Sequence, residues 1–387
     1  MPQGRFGKPP LGVVYNTSMN RPDAALALAE LYSFEGKRDS RMGSICVVGS
    51  GLQTAIFCDM VGRIYMPGPT RNGNQVLAVG LADVKPLPPD SPMVKPALER
   101  KNDKGEPAYV HSIERVSDTS LAEAVLLNGV IAQADAAVIL SAPATYLAKS
   151  LNLNNAKELY KDKCRRLVIV DAGVPQQDVP AIRKVIAEWP SPIFFCSKEV
   201  GDALPFPGSA LEKAFEWSPL HPVVDAYNAA GKMPYNAPSY DLAAAHFAVH
   251  PDSGFFQLSE AGSLVVSDDG KFTFKPGGGQ VQSLKVDPAK KEALMLAMID
   301  VLGTKPAAPQ QRTRPPAANA NTAKAADGKA TDGKARMKPW TPTSSSSLAA
   351  SPPPELETKG ADKPKKKQKA AEKSEKSDKA SKPASAQ

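Results

Sequence analysis

The side chains best suited to hold a ligand or a metal ion lie at a strand-to-helix junction near the N-terminus. Residues 13–15, Val-Val-Tyr, have the composition of a short buried strand, and residues 24–28, all Ala or Leu, that of a helix. Asn16 and Asp23 flank the connecting loop, and Pro22 suits the first turn of a helix. Free backbone N–H groups and the helix dipole converge at such junctions, where α/β proteins bind ligands. The loop is therefore either a ligand-binding loop or only the first connection of a sheet.

The elements that would position this loop follow from alternating apolar runs and polar loops in the first three hundred residues. Further strands are predicted at residues 44–48, 75–80, 136–141, 166–170 and 193–196. Helices are predicted at residues 24–32, 52–60, 120–133, 146–151, 178–189, 222–230, 242–249 and 288–302. Near-continuous apolar strands that alternate with helices predict an α/β fold. Its mostly parallel central sheet would have helices on both faces, as in Rossmann-like proteins.

Several connections allow local predictions. Residues 83–109 are rich in Pro, Lys, Asp and Gly and predict a long surface excursion, either an active-site lid or a flexible insertion. Ser120 and Glu123 have the spacing of a capping box at a helix start. Residues 268–270, Asp-Asp-Gly, predict a hairpin turn between two short strands. Residues 49–51, Gly-Ser-Gly, lack the spacing of a phosphate-binding loop, which favours a tight turn.

Composition divides the chain of 387 residues into a folded domain, residues 11–303, and a tail, residues 304–387. Ala, Pro, Ser and Lys dominate the tail, which is predicted to be disordered. The formal charge of +8 includes a basic run at residues 363–369, so nucleic-acid binding is not predicted for the folded domain. The four cysteines lack metal-binding spacing and are predicted to be buried free thiols. Without an apolar signal core or membrane-spanning run, we expect a cytoplasmic protein without membrane contact.

Short motifs occur in an order that is typical of one enzyme family. Residues 16–28, NTSMNRPDAALAL, are similar to the opening DTDMGNDVDDALAL, with one residue fewer. Further similar segments lie at residues 141–148 (family GPLTNLA), 171–173 (MGG), 189–201 (WPTPI…FEIG), 221–227 (HPV…AY) and 239–242 (SWDL). From residue 11 to residue 303, the chain therefore resembles the nucleoside hydrolases, the inosine/uridine-preferring N-ribohydrolases.

This resemblance implies hydrolysis of the N-glycosidic bond of ribonucleosides at a Ca²⁺ ion held largely by aspartates. The triplet aspartates of the family fall on Asn16 and Ser18, the aspartate pair on Asp23 and Ala24, and the later metal aspartate on Asp241. Ser18 cannot act as a carboxylate base and Ala24 has no ligand atom. Since Ca²⁺ needs several oxygen ligands, mostly anionic, weak or absent Ca²⁺ binding is predicted.

The resemblance also suggests roles for individual residues. It implies Asn16, Asp23 and Glu199 as residues that bind a nucleoside-like ligand, and Asp241 as a remnant metal ligand. No catalytic residue is assigned. The family's ribose-binding segment has no counterpart, because residues 173–178 lead almost directly into the next predicted helix. Family members also suggest a homo-oligomer.

Two functions remain open at this point. The chain is either a nucleosidase with altered or metal-independent chemistry, or a catalytically inactive module that binds a small molecule or a partner. Each acid also has a structural alternative: Asp23 as a helix N-terminal acid, Asp241 as a helix N-cap, and Glu199 as a buried acid bonded to backbone N–H groups. The loss of acids at Asn16, Ser18 and Ala24 favours lost or strongly altered activity.

Overall fold

The computed structural model describes residues 10–66, 77–82 and 84–306. Its strands are β1 (Leu11–Thr17), β2 (Ser40–Val47), β3 (Val79–Leu81), β4 (Ser120–Leu121), β5 (Ala136–Ser141), β6 (Cys164–Val170), β7 (Ile193–Cys196), β8 (Pro205–Pro207), β9 (Asn236–Pro238), β10 (Phe256–Leu258), β11 (Gly262–Val266), β12 (Phe272–Pro276) and β13 (Val281–Val286). Its helices are α1 (Pro22–Lys37), α2 (Leu52–Tyr65), α3 (Lys95–Glu99), α4 (Ala122–Ile131), α5 (Thr145–Ser150), α6 (Ala156–Lys163), α7 (Val179–Glu188), α8 (Lys198–Asp202), α9 (Leu211–Ala214), α10 (Pro222–Ala230), α11 (Tyr240–Val249) and α12 (Lys291–Leu302).

The main sheet is parallel over most of its width. Its strand order is β12-β11-β13-β7-β6-β5-β1-β2-β3-β4, and the strands from β13 to β4 are parallel. β12 pairs antiparallel with β11, and β10 pairs antiparallel with β13. The predicted α/β fold with a mostly parallel central sheet is therefore confirmed.

The central strand β1 is buried on both faces. Tyr15 belongs to one apolar core, formed with α1, α2, α10 and α11, whereas Val14 belongs to a second core, formed with α4, α5 and α7. Successive side chains of a strand point to opposite faces, so a strand with helices on both sides needs apolar residues throughout. This explains the continuous run of apolar residues in the sequence and places the end of β1 in the middle of the sheet edge.

Several predicted boundaries need correction. Ser120 does not cap a helix, because it lies in β4 and pairs in parallel with Gly80. The helix α4 begins two residues later, and Leu121 at its N-cap position makes no side-chain capping bond. The helices α1 and α2 are longer than predicted, since their last turns carry charged residues that the apolar pattern does not register.

The predicted surface excursion at residues 83–109 is confirmed in part, because most of its described residues are exposed while a few apolar side chains pack into the core. Asp83 lies outside the described residues, but beyond it a 3-10 turn at Pro92–Val94 leads into α3. Met93, Val94 and Tyr109 are buried, and the Tyr109 hydroxyl donates a hydrogen bond of 2.7 Å to Asp225 of α10. Pro and Lys are frequent here because the segment turns repeatedly while its few apolar side chains reach the core.

The remaining local predictions have mixed outcomes. The predicted hairpin is confirmed as β11 and β12, and the four cysteines are buried free thiols. The sequence did not suggest β10 or β13, and β13 extends the parallel sheet by pairing with β7. No helix among the described residues is long and apolar enough to span a membrane. Most of the predicted tail, from residue 307 onwards, lies outside the described residues.

One buried histidine at the start of α10 has consequences for stability. His221 is 1% exposed, and its Nδ1 atom accepts a hydrogen bond of 3.2 Å from the backbone N–H of Val223. Phe215, Tyr65 and Trp217 surround the ring, with centroid distances of 4.5, 5.6 and 5.6 Å. The Nε2 atom is buried without a hydrogen-bond partner. Burial therefore lowers the pKa of His221 to about 3.

We expect His221 to make the fold less stable in mild acid. The unfolded state takes up a proton below pH 6.5, whereas the folded state does so only near pH 3, so stability falls as the pH drops below 6.5. Between pH 7 and pH 5 the loss amounts to about 2 kcal/mol. His221→Asn keeps an N-cap acceptor without the titration, so urea unfolding at both pH values should show a loss smaller by that amount.

His111→Asn serves as the matched control for removing a histidine, since His111 lies on a half-buried loop. If His221→Asn loses as much stability between pH 7 and pH 5 as the unsubstituted protein, this role of His221 is excluded.

Candidate functional site

Three neighbouring strands of the sheet end beside one cleft. The strands β1, β5 and β6 end at Thr17, Ser141 and Val170, and the cleft beyond them has a volume of about 350 Å³. Its polar lining comprises Ser18, Asn20, Arg21, Ser141, Gln177 and Asp241. Pro88, from the segment predicted as a possible lid, also borders it. The carboxyl ends of parallel strands are where open α/β sheets bind ligands, so this cleft is the candidate site.

Arg21 lies at the floor of this cleft and precedes α1. Its Nη2 atom donates hydrogen bonds to Oδ2 of Asp241 and, over 2.9 Å, to the hydroxyl of Ser141. Its Nε atom lies 3.6 Å from Oδ1 of Asp23, and its guanidinium carbon lies 5.1 Å from the centroid of the Tyr240 ring. The Arg21 side chain is 22% exposed, whereas those of Asp23 and Asp241 are 1% and 0% exposed. One cation thus faces two buried carboxylates.

Asp23 lies in the first turn of α1, but its carboxylate also caps another helix. Its Oδ2 atom accepts a hydrogen bond of 2.6 Å from the backbone N–H of Asp241, in the first turn of α11. Burial raises the pKa of Asp23, and the nearby charge of Asp241 raises it further, whereas Arg21 and the α11 backbone N–H groups oppose this shift. Asp23 therefore joins the N-terminal ends of α1 and α11.

Asp241 is not the N-cap that the structural alternative predicted. The helix α11 begins at Tyr240, and Ser239 occupies the N-cap position. The Asp241 carboxylate instead accepts a hydrogen bond of 2.8 Å from the Tyr15 hydroxyl on β1, in addition to the bond from Arg21. Burial and the charge of Asp241 together raise the pKa of Tyr15 well above its ordinary value, so this hydroxyl stays a donor.

The other two predicted site residues do not line this cleft. Asn16 is fully buried, and neither its Oδ1 nor its Nδ2 atom has a hydrogen-bond partner. Glu199 is exposed, so the alternative of a buried structural acid is wrong. It lines a separate cleft of about 580 Å³ with Asp171 and Phe272. The structure thus brings Asp23 and Asp241 together, and the ligand-binding roles of Asn16 and Glu199 stay predictions.

The residues at the cleft do not suit a Ca²⁺ ion. Ser18 and Ala24 line the cleft where the resemblance places metal-binding aspartates. Both remaining carboxylates, of Asp23 and Asp241, already face the Arg21 guanidinium. Within the described residues, no group of three or more His, Cys, Asp and Glu side chains is arranged to hold a metal ion. A hard cation there would have few anionic ligands and a positive neighbour.

The glycine-containing turn after β2 is a tight turn, as predicted. Gly49 has a φ of +78°, which favours glycine. A Cβ atom on Gly51 would lie 2.8 Å from the Asp90 carboxylate. Asp90 in turn accepts a hydrogen bond of 3.0 Å from the N–H of Thr54 in the first turn of α2. A protein carboxylate already occupies this helix terminus, so it is not a free phosphate site.

Sequence reasoning missed Arg21, the residue that organises the site. The family pattern drew attention to acidic residues, and Asn20-Arg21-Pro22 counted only as part of the segment similar to the family opening. Arg21 could have been predicted from its position, because it directly precedes Pro22 and Asp23 at the start of a helix. A basic residue at that place can pair with the carboxylates expected around the loop.

Comparison with solved structures identifies the fold. The chain superposes on an inosine-uridine preferring nucleoside hydrolase from Bacillus anthracis with a TM-score of 0.56 and 15% identity, over 76% of this chain and 99% of that one. A purine-preferring ribonucleoside hydrolase from Gardnerella vaginalis gives a TM-score of 0.54 and 14% identity, over 76% and 99% of the chains. The type III effector protein XopQ, solved with adenosine diphosphate ribose, gives 0.53 and 12%, over 78% and 96%.

These similarities define a class of protein by its fold. The chain has the nucleoside hydrolase fold, which confirms the resemblance drawn from its motifs at that level. No protein-family model matches the sequence, and no functionally curated protein matches it.

We expect Tyr15→Phe to destabilise the fold by about 2 kcal/mol, because it removes a buried hydrogen bond to a charged acceptor. Tyr240→Phe is the matched control, since its hydroxyl bonds over 2.6 Å to the exposed Asp202 and its loss should cost less than about 0.5 kcal/mol. Urea unfolding of both variants measures the difference. Equal losses of stability would show that the buried Tyr15–Asp241 hydrogen bond contributes no more to stability than the exposed Tyr240–Asp202 bond does.

Proposed function

We propose that this protein is a catalytically inactive protein with the nucleoside hydrolase fold, and that its cleft binds an uncharged nucleoside-like molecule. The observation that carries the proposal is that Ser18 and Ala24 line the cleft at the positions where the resemblance calls for acids. The chain therefore has a cleft where a nucleoside hydrolase would bind its substrate, but Ser18 and Ala24 stand where carboxylates would be needed.

The chemistry of hydrolysis needs a group that accepts a proton from water. A serine hydroxyl such as that of Ser18 is too weak a base for this, and general bases are commonly His or carboxylate side chains. The carboxylates of Asp23 and Asp241 are engaged with Arg21, Tyr15 and the N-terminus of α11. This arrangement supports binding without bond cleavage.

The dimensions and charge of the cleft favour a small neutral ligand. Its volume of about 350 Å³ is near the lower end of the 300–1,000 Å³ range of small-molecule pockets. Arg21 and Asp241, the charged side chains of the cleft lining, pair with each other, and Asp23 is buried outside the lining, so Ser18, Asn20 and Gln177 are the neutral polar groups that a ligand meets. The hydroxyl and amide groups of a nucleoside match these side chains better than does a charged diphosphate, such as that of the adenosine diphosphate ribose found with XopQ.

We infer that the basic character of the chain belongs to its C-terminal part. Seventeen of the 48 Lys and Arg residues, but only eight of the 40 acids, follow Pro306, so that this part has a net charge of +9 and the remainder −1. The folded domain therefore lacks the charge that nucleic-acid binding requires. The cytoplasmic location and the homo-oligomer stay predictions.

The proposal predicts nucleoside binding without ribose release. Isothermal titration with inosine, uridine and adenosine should give affinities in the micromolar range, and a reducing-sugar assay on the same nucleosides should detect no ribose with or without Ca²⁺. Ala172→Trp, at an exposed position of the cleft lining, should abolish binding by filling the cleft.

Ala132→Trp is the matched control, because Ala132 is exposed at the end of α4 and does not line the cleft. It should bind as the unsubstituted protein does. Ribose release from any of the nucleosides, lost in Ala172→Trp, would show that the protein is an active nucleosidase.

A further inference from the structure

The centre of the site holds a positive charge that belongs to the chain itself. Asp23 and Asp241 are at most 1% exposed, and a backbone hydrogen bond of 2.6 Å holds them close to one another. Two carboxylates brought together away from water repel each other and lose their hydration, so a cation beside them favours their ionised forms and its loss favours uptake of a proton. In metal-binding sites a divalent ion supplies that charge.

We propose that the Arg21 guanidinium replaces a divalent cation at this site, so that the cleft holds its two carboxylates in place without metal. This role of Arg21 concerns the charge balance with Asp23 and Asp241, so it goes beyond the proposed function and does not depend on whether a ligand binds.

The geometry of Arg21 supports this replacement. A guanidinium offers several N–H donors in one plane, and here Nη2 serves Asp241 and Ser141 while Nε points toward Asp23. A metal ion likewise draws ligands from several elements, and Arg21 joins the end of β5 to the starts of α1 and α11.

The backbone around Arg21 holds it at this position. Met19, two residues earlier, is fully buried with a φ of +51°, an uncommon conformation for a residue with a side chain. Its N–H donates a hydrogen bond of 3.1 Å to the Thr17 hydroxyl. Pro22, which follows Arg21 directly, is the first residue of α1, and its ring fixes the backbone φ there. The loop is thus shaped to direct one long basic side chain across the ends of the strands.

Three variants of the full-length chain test the proposal through the melting temperature, with CaCl₂ as the only probe. The unsubstituted protein should melt at the same temperature with and without millimolar Ca²⁺. Arg21→Ala should lower the melting temperature by about 10 °C, because it leaves two buried carboxylates without a positive charge beside them. Millimolar Ca²⁺ should restore several degrees of this loss. The triple variant R21A/D23N/D241N should melt above Arg21→Ala and should not respond to Ca²⁺.

Arg63→Ala is the matched control. Arg63 is 20% exposed and pairs over 3.2 Å with Asp59, which is 1% exposed, so the pair resembles Arg21 and Asp241 in burial, and neither Arg63 nor Asp59 lines the cleft. It should be destabilised without recovery by Ca²⁺. If Arg21→Ala does not fold, the triple variant is compared with the unsubstituted protein instead. A folded triple variant would still show that the two carboxylates require the guanidinium.

Three results would overturn the proposal: a Ca²⁺-induced rise in the melting temperature of the unsubstituted protein, an Arg21→Ala variant as stable as that protein, or a folded Arg21→Ala variant that Ca²⁺ does not stabilise. Failure of the nucleoside titrations would leave all three measurements unchanged, so the two proposals fail separately.

Discussion

Buried charge is the constraint on which the structure around the cleft depends. Removing one partner of a buried ion pair typically costs about 3–5 kcal/mol, because the remaining charge has lost its water without gaining a counter-charge. Asp23 and Asp241 therefore require Arg21, the Tyr15 hydroxyl and the N-terminal N–H groups of α11 to be present together. These contacts determine how closely α1 approaches α11 and where the loop after β1 runs.

The same two helices are joined a second time, deeper in the protein. Glu30 of α1 and His246 of α11 form a buried contact of 2.8 Å between Oε1 and Nδ1. Burial raises the pKa of Glu30, and His246 opposes this shift. Polar contacts thus occur at the N-terminal ends of α1 and α11, and again about two turns further along α1. Between them the interface is formed mainly by alanine and leucine, which lets the helices pack closely over the centre of the sheet.

The sequence predicted the strands at the centre of the sheet best. Residues 136–140 and 193–196 are apolar throughout because helices cover both faces, and β5 and β7 have the predicted bounds, Ala136–Ser141 and Ile193–Cys196. Ser120 was misread because its backbone pairs with a strand forty residues away, which no local pattern encodes.

At the cleft, the similarity to the family motifs predicted Asp23 and Asp241 as site residues. It did not predict Arg21, since no family position calls for a cation there. Glu199 matched a motif, yet the end of β7 carries it to another cleft.

The position of β1 also affects the order in which the chain can fold during synthesis. β1 lies in the middle of the sheet although it is made first, and the Tyr15–Asp241 hydrogen bond joins residues 226 positions apart. At a synthesis rate of about 5–20 residues per second, roughly 11–45 s separate the appearance of the two residues. During that interval the ribosome holds a chain whose Arg21 and Asp23 have no Asp241 to bond. The cleft therefore cannot form until α11 has been made, although β1 and the loop after it are among the first parts of the chain to appear.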